Sequence, residues 1–172
     1  MDYYESVVID YLRADRALFV NTECCLQLCE GHHPDKGQHW YCDAAVADFR
    51  SKSLFLCEIS YSQKLAALIK RLKLWNDNWD GVRDALRRNS RVPPEWLEGL
   101  RPWLFVPLES VPYLLTGLSR IGNGSPKFVP RITPLEMVQP WCYCSWDRTG
   151  EIECCPRHQA TKPDIIPEAM AR

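Results

Sequence analysis

Residues 40–60 read WYCDAAVADFRSKSLFLCEIS, two short apolar runs joined by a polar turn, with one carboxylate in each run, Asp43 and Glu58. In the second run Leu54, Leu56, Glu58 and Ser60 fall on one face of a strand, and Phe55, Cys57 and Ile59 on the other. Apolar side chains on both faces call for a sheet covered on both sides. Two acids on neighbouring strands are the donor set that a hard divalent cation takes. A buried carboxylate without a partner is costly, so a glutamate inside LFLCEI points to a site. The structural alternative makes Asp43 an acceptor at a strand start and pairs Glu58 with a basic residue of the following helix. Asp48 lies on the face opposite Asp43 and reads as turn chemistry.

Before this stretch, Tyr4, Val7, Val8 and Tyr11 recur at helical spacing, with Asp2 as N-cap and Glu5 at the edge of the apolar stripe. Leu18 to Leu28 reads as a strand carrying Glu23, and 31–37 as a Gly- and Pro-punctuated loop. Downstream, Leu65, Leu68, Ile69, Leu72, Trp75, Trp79, Val82 and Leu86 form one helical stripe, capped by Ser62 and bent near 76–81. Lys64, four residues before Leu68, falls on the border of that buried face. Trp103–Val106 and Lys127–Ile132 read as strands, Ser110–Arg120 as a helix, and Thr133-Pro134-Leu135-Glu136 as the capping-box start of another. This order predicts an α/β fold, a three-layer sandwich around a small mixed central sheet, over residues 1–138. A Cys-containing, partly irregular C-terminal extension follows over 139–172.

With 172 residues, 46% of them hydrophobic and seven of them tryptophan, the chain can bury one real core. No run approaches eighteen apolar residues, and the first residues lack a signal-peptide pattern, so no membrane and a cytoplasmic location are expected. The net charge of −1 hides an uneven distribution. Residues 1–63 carry five Lys/Arg against ten Asp/Glu, and residues 64–91 carry eight against three. An acidic half beside a basic helix suits nucleic acid, whose phosphates the helix would neutralise. An ordinary solvated helix face gives the same count.

Nine cysteines, an odd number, argue against a complete disulfide framework. Cys142, Cys144, Cys154, Cys155 and His158 place five soft ligands within seventeen residues and could close a structural Zn²⁺ site. Cys24, Cys25, Cys29, His32 and His33 read instead as packing cysteines beside a surface histidine pair.

From Tyr41 to Ser62 the chain resembles the PD-(D/E)XK nuclease superfamily, the restriction-endonuclease-like fold. The family pattern is an aspartate on one hairpin strand, an apolar strand ending in Glu-x-Lys, and then a helix. Asp43 and Glu58 match its two acids. The resemblance extends over residues 1–108, with Trp103–Val106 as the fourth strand and Glu5 as the third acid that a preceding helix often adds; Glu23 is a rival. It implies hydrolysis of phosphodiester bonds, in DNA more than RNA, with Mg²⁺ or Mn²⁺ held by Asp43 and Glu58. Homodimers are common where such enzymes cut two strands. The chain departs from the pattern at Cys42, where a proline is usual, and at Ser60, where the lysine should stand. A serine hydroxyl can hydrogen-bond a water but carries no charge. Lys64 is the candidate for a lysine moved onto the helix; without one, the fold would act as a nucleic-acid- or protein-binding or regulatory module.

Overall fold

Strand alternation over residues 18–59 builds a three-stranded meander. β1 (Leu18–Gln27) pairs antiparallel with β2 (His39–Asp48), which pairs antiparallel with β3 (Ser53–Ile59). β4 (Arg101–Val106) then joins β3 in parallel, and β5 (Arg131–Pro134) joins β4 in parallel, giving one mixed sheet in the order β1-β2-β3-β4-β5. The computed structural model describes residues 3–29, 39–62, 64–90 and 92–140, apart from the side chain of Glu23. Asp48 closes the β2–β3 turn: its Oδ1 accepts the Arg50 amide at 2.9 Å, while the Arg50 guanidinium reaches Asp15 at 2.6 Å.

Both faces of the sheet are covered. Helix α1 (Tyr3–Arg13) lays Val8, Ile9 and Leu12 against Ala44, Val46, Phe55, Cys57, Trp103 and Phe105. On the other side α2 (Ala66–Asp77), α3 (Trp79–Asn89) and α4 (Val111–Leu118) bring Leu68, Leu72, Val82 and Leu114 onto Leu54, Leu56 and Leu104. Strand β3 is therefore buried on both faces, the outcome its unbroken apolar run calls for. The architecture is an α/β sandwich.

Two local readings need correction. The long apolar stripe is not one helix from Ser62. Leu65 takes a left-handed backbone (φ 41°, ψ 14°) while its side chain is fully buried, so helix α2 starts only at Ala66. Periodicity recorded the burial of Leu65 and could not record its backbone. Lys64 thus sits in the exposed turn before α2 rather than on it. A second break at Asn78 (φ −118°, ψ 24°) separates α2 from α3.

The fifth strand lies at Arg131–Pro134 instead of Lys127–Ile132 and takes in Thr133, which does not hold the N-cap position of the turn that follows. Its buried hydroxyl accepts the Trp103 indole N–H at 2.9 Å, and a single 3-10 turn follows at Leu135–Met137. Trp103 also stacks on Phe105 and lies 4.0 Å beneath the Arg131 guanidinium. Trp103→Phe keeps an aromatic ring but removes the indole donor to the Thr133 hydroxyl and leaves a small void, at a cost of about 2 kcal/mol. Thermal melting should show a loss of roughly 4–8 °C; an unchanged midpoint would contradict this account of the β4–β5 contact.

Candidate active site at the end of the β2–β3 hairpin

The ladder between β2 and β3 runs from Asp48 opposite Ser53 to Ala44 opposite Cys57. One step further stand Asp43 and Glu58, and there backbone pairing gives way to side chains. The Ile59 amide donates to Asp43 Oδ2 at 2.6 Å, while the Ser60 amide donates to the Phe105 carbonyl at 2.9 Å. β3 stays with β4 while its contact with β2 passes to the Asp43 carboxylate. The strands part at the two acids.

Glu58 is 2% exposed and points to the α2 side, as its neighbours Leu54 and Leu56 do. Its Oε2 accepts a short hydrogen bond from Arg71 Nη1, on α2. Its Oε1 is buried with no hydrogen-bond partner among the described residues. Burial pushes the Glu58 carboxyl up to about 8, the neighbouring Asp43 charge adds to the rise, and Arg71 pulls it partly back. The carboxylate is thus held where one cation only half satisfies it.

Two clefts flank this end of β2. Under α1, Glu5 and Asp43 line a cleft of about 270 Å³ together with Thr22, Tyr41 and Ile59. On the α2 side, His39, Tyr41, Lys70 and Arg71 line a groove of about 420 Å³ floored by Trp40 and Trp75. Tyr41 is the wall common to both.

The structure thus sets Asp43 beside Glu58 and brings Glu5 to the Asp43 cleft. Ser60 follows the end of β3, half-buried. Lys64 is exposed and makes no ion pair among the described residues. The cation that reaches Glu58 is Arg71, two helical turns beyond Lys64. A signal for it was present: position 71 stands three after Leu68 and four before Trp75, at the border of the buried stripe. Cys42 and Cys24 face each other across β1 and β2, and the Cys42 thiol donates to the Ala44 carbonyl at 3.4 Å. The side chain of Glu23, residues His32 and His33, and the set Cys142, Cys144, Cys154, Cys155 and His158 lie outside the described residues.

The basic segment is split between two helices. Arg71 is tied to Glu58, Arg87 to Asp84, and Arg88 to the carbonyls of Gln27 and Leu28 at the end of β1. Lys64, Lys70 and Lys73 remain exposed on or just before α2.

Among the described residues no group of three or more His, Cys, Asp or Glu side chains forms a metal cluster. The Asp43–Glu58 pair nonetheless fits an ion of the Mg²⁺ type, which takes one or two carboxylates and keeps much of its water. The observation behind that fit is the Glu58 Oε1, unpartnered among the described residues, with the Asp43 charge close enough to raise the Glu58 carboxyl further. Compared with family models, with curated proteins and with solved structures, the chain matches none. Among the described residues no helix is long and apolar enough to cross a membrane.

Proposed function

We propose that this domain hydrolyses phosphodiester bonds of nucleic acid with a divalent cation, through a variant of the restriction-endonuclease-like site. The observation that carries the reading is the parting of β2 and β3 at Asp43 and Glu58, with an unpartnered carboxylate oxygen on one side and a guanidinium on the other. The order of elements supports it: a helix, a three-stranded meander, a helical crossover and a fourth strand parallel to the third.

Asp43 and Glu58 would hold Mg²⁺ or Mn²⁺, which when bound supplies a water of lowered pKa and positive charge beside a phosphate. Arg71 takes over the charge that Ser60 cannot carry. Fixed by Glu58, its guanidinium stays positive at any working pH and can offset charge developing on a phosphate. Glu5, in the Asp43 cleft, is placed to accept hydrogen bonds from water there.

A second reading rests on the same ion pair. If Arg71 serves only to neutralise Glu58, the domain binds nucleic acid and does not cut it. Incubation of the protein with plasmid, linear and single-stranded DNA and with RNA, in Mg²⁺ or Mn²⁺ and in chelator, separates the two. Metal-dependent cleavage is expected. Binding without cleavage in either metal would establish the second reading in its place.

A further inference from the structure

The groove on the α2 side shares Arg71 with the chemistry proposed above, which leaves the rest of its lining unused. Its walls combine exposed rings with fixed positive charge. Tyr41 is 54% exposed and meets His39 edge-on, with ring centroids 5.4 Å apart. Opposite them on α2 stand Lys70, exposed, and Arg71, half-exposed and anchored by Glu58. Just beyond β3, Tyr61 stacks on Tyr4 of α1, at 5.1 Å and 20°, and is 57% exposed. Tyr41, Tyr61 and Tyr4 thus expose three rings at one end of the sheet. Rings alternating with cations are the surface that single-stranded nucleic acid selects, because bases stack on the rings while phosphates meet the charges. A duplex hides its base faces and cannot use such a groove except at its ends.

We propose that the groove between His39–Tyr41 and α2 seats an unpaired stretch of nucleic acid, making the substrate of the adjoining acid site single-stranded. A base stacks on Tyr41, its flanking phosphates lie against Lys70 and Arg71, and the strand passes over Tyr41 toward Asp43 and Glu5. The volume of about 420 Å³ lies in the range that seats small ligands, enough for one base and its phosphate. This substrate assignment rests on the nuclease reading, but the groove itself binds whether or not the acids catalyse.

Fluorescence anisotropy with a labelled single-stranded DNA, the matching single-stranded RNA and the matching blunt duplex, all in chelator, tests the groove apart from cleavage. Single strands should bind at least tenfold more tightly than the duplex, and the DNA and RNA arms identify the sugar preferred. Tyr41→Ala should weaken single-strand binding about fivefold to a hundredfold, and Tyr41→Phe should restore it, since the ring and not the hydroxyl stacks. Lys70→Ala should reduce the slope of log affinity against log salt by about 0.7, one phosphate contact on a single strand. Because position 70 is exposed, that variant also covers the case in which Tyr41→Ala does not fold. Equal affinity for duplex and single strand, or a Lys70→Ala slope equal to the wild-type slope, would overturn the groove. Duplex cleavage without single-strand preference would sink this inference and leave the nuclease reading intact. Tight single-strand binding with no cleavage in Mg²⁺ or Mn²⁺ would do the reverse.

Discussion

Asp43→Asn is expected to lower metal-dependent cleavage about a thousandfold, and Glu58→Gln by a similar factor, with neither protein unfolded. A factor of that size is about 4 kcal/mol of transition-state stabilisation, the scale on which metal-held charge contributes. Both replacements keep shape and one hydrogen-bond-accepting oxygen. An asparagine Oδ1 can still accept the Ile59 amide, so the hairpin end should stay closed. What each replacement removes is a carboxyl that can bind a cation as an anion. Because the two acids act as one site, the double variant should be little worse than either single variant. Arg71→Lys should retain part of the activity and Arg71→Ala little, since the first keeps a cation near Glu58. Initial rates and melting curves on the same preparations decide the matter. Cleavage within tenfold of wild type in Asp43→Asn or Glu58→Gln would remove that residue from the site.

The second large effect is on stability and follows from the proton on Glu58. Its carboxyl titrates near 4.5 in an unfolded chain and near 8 in the folded one. The native state therefore binds more protons than the unfolded state between those values, and stability falls as pH rises through that window. The contribution is fully present below about pH 4.5 and gone above about pH 8. A shift of this size corresponds to something on the order of 5 kcal/mol, or roughly 10–20 °C in melting temperature for a chain of this length. Glu58→Gln carries no ionisable group and should flatten the profile, becoming more stable than wild type at pH 8.5. Melting curves in chelator from pH 5 to pH 9 give the comparison. Parallel wild-type and Glu58→Gln profiles would show that burial does not hold the proton on Glu58.

The hairpin that carries the acids was legible because its information is local. Period-2 alternation placed Leu54 and Leu56 on one face and Phe55 and Cys57 on the other, and the polar stretch between the runs marked the turn that Asp48 closes. The start of α2 was not legible, because burial of Leu65 and its left-handed backbone are independent facts and only the first leaves a trace in periodicity. The Thr133-Pro134 pair reads locally as a helix start. Its hydroxyl is claimed by Trp103, thirty residues earlier in the chain, and a contact of that range has no local signature. Arg71 was hidden for a related reason. Its place at the edge of the apolar stripe was visible, but its meeting with Glu58 depends on how α2 is seated along β3. Tyr41 reads locally as one strand residue, and only the fold makes it the wall between two clefts.

The path of the chain also sets the order in which these parts can assemble. β1, β2 and β3 follow one another as hairpins, whereas β3 meets β4 only after the crossover from Ile59 to Arg101 has closed. Short loops close before long ones, so the meander should form first and the parallel half of the sheet later. At that first stage Asp43 and Glu58 already stand side by side, but Glu58 is still in water and ionised at neutral pH. Its burial waits for α2 to dock. During refolding at pH 7, a pH indicator should therefore register proton uptake after strand formation is complete by circular dichroism; simultaneous signals would mean that the sheet and α2 assemble together. The acid pair should thus be drawn together by the closure of one short turn and be given its proton only when α2 covers it.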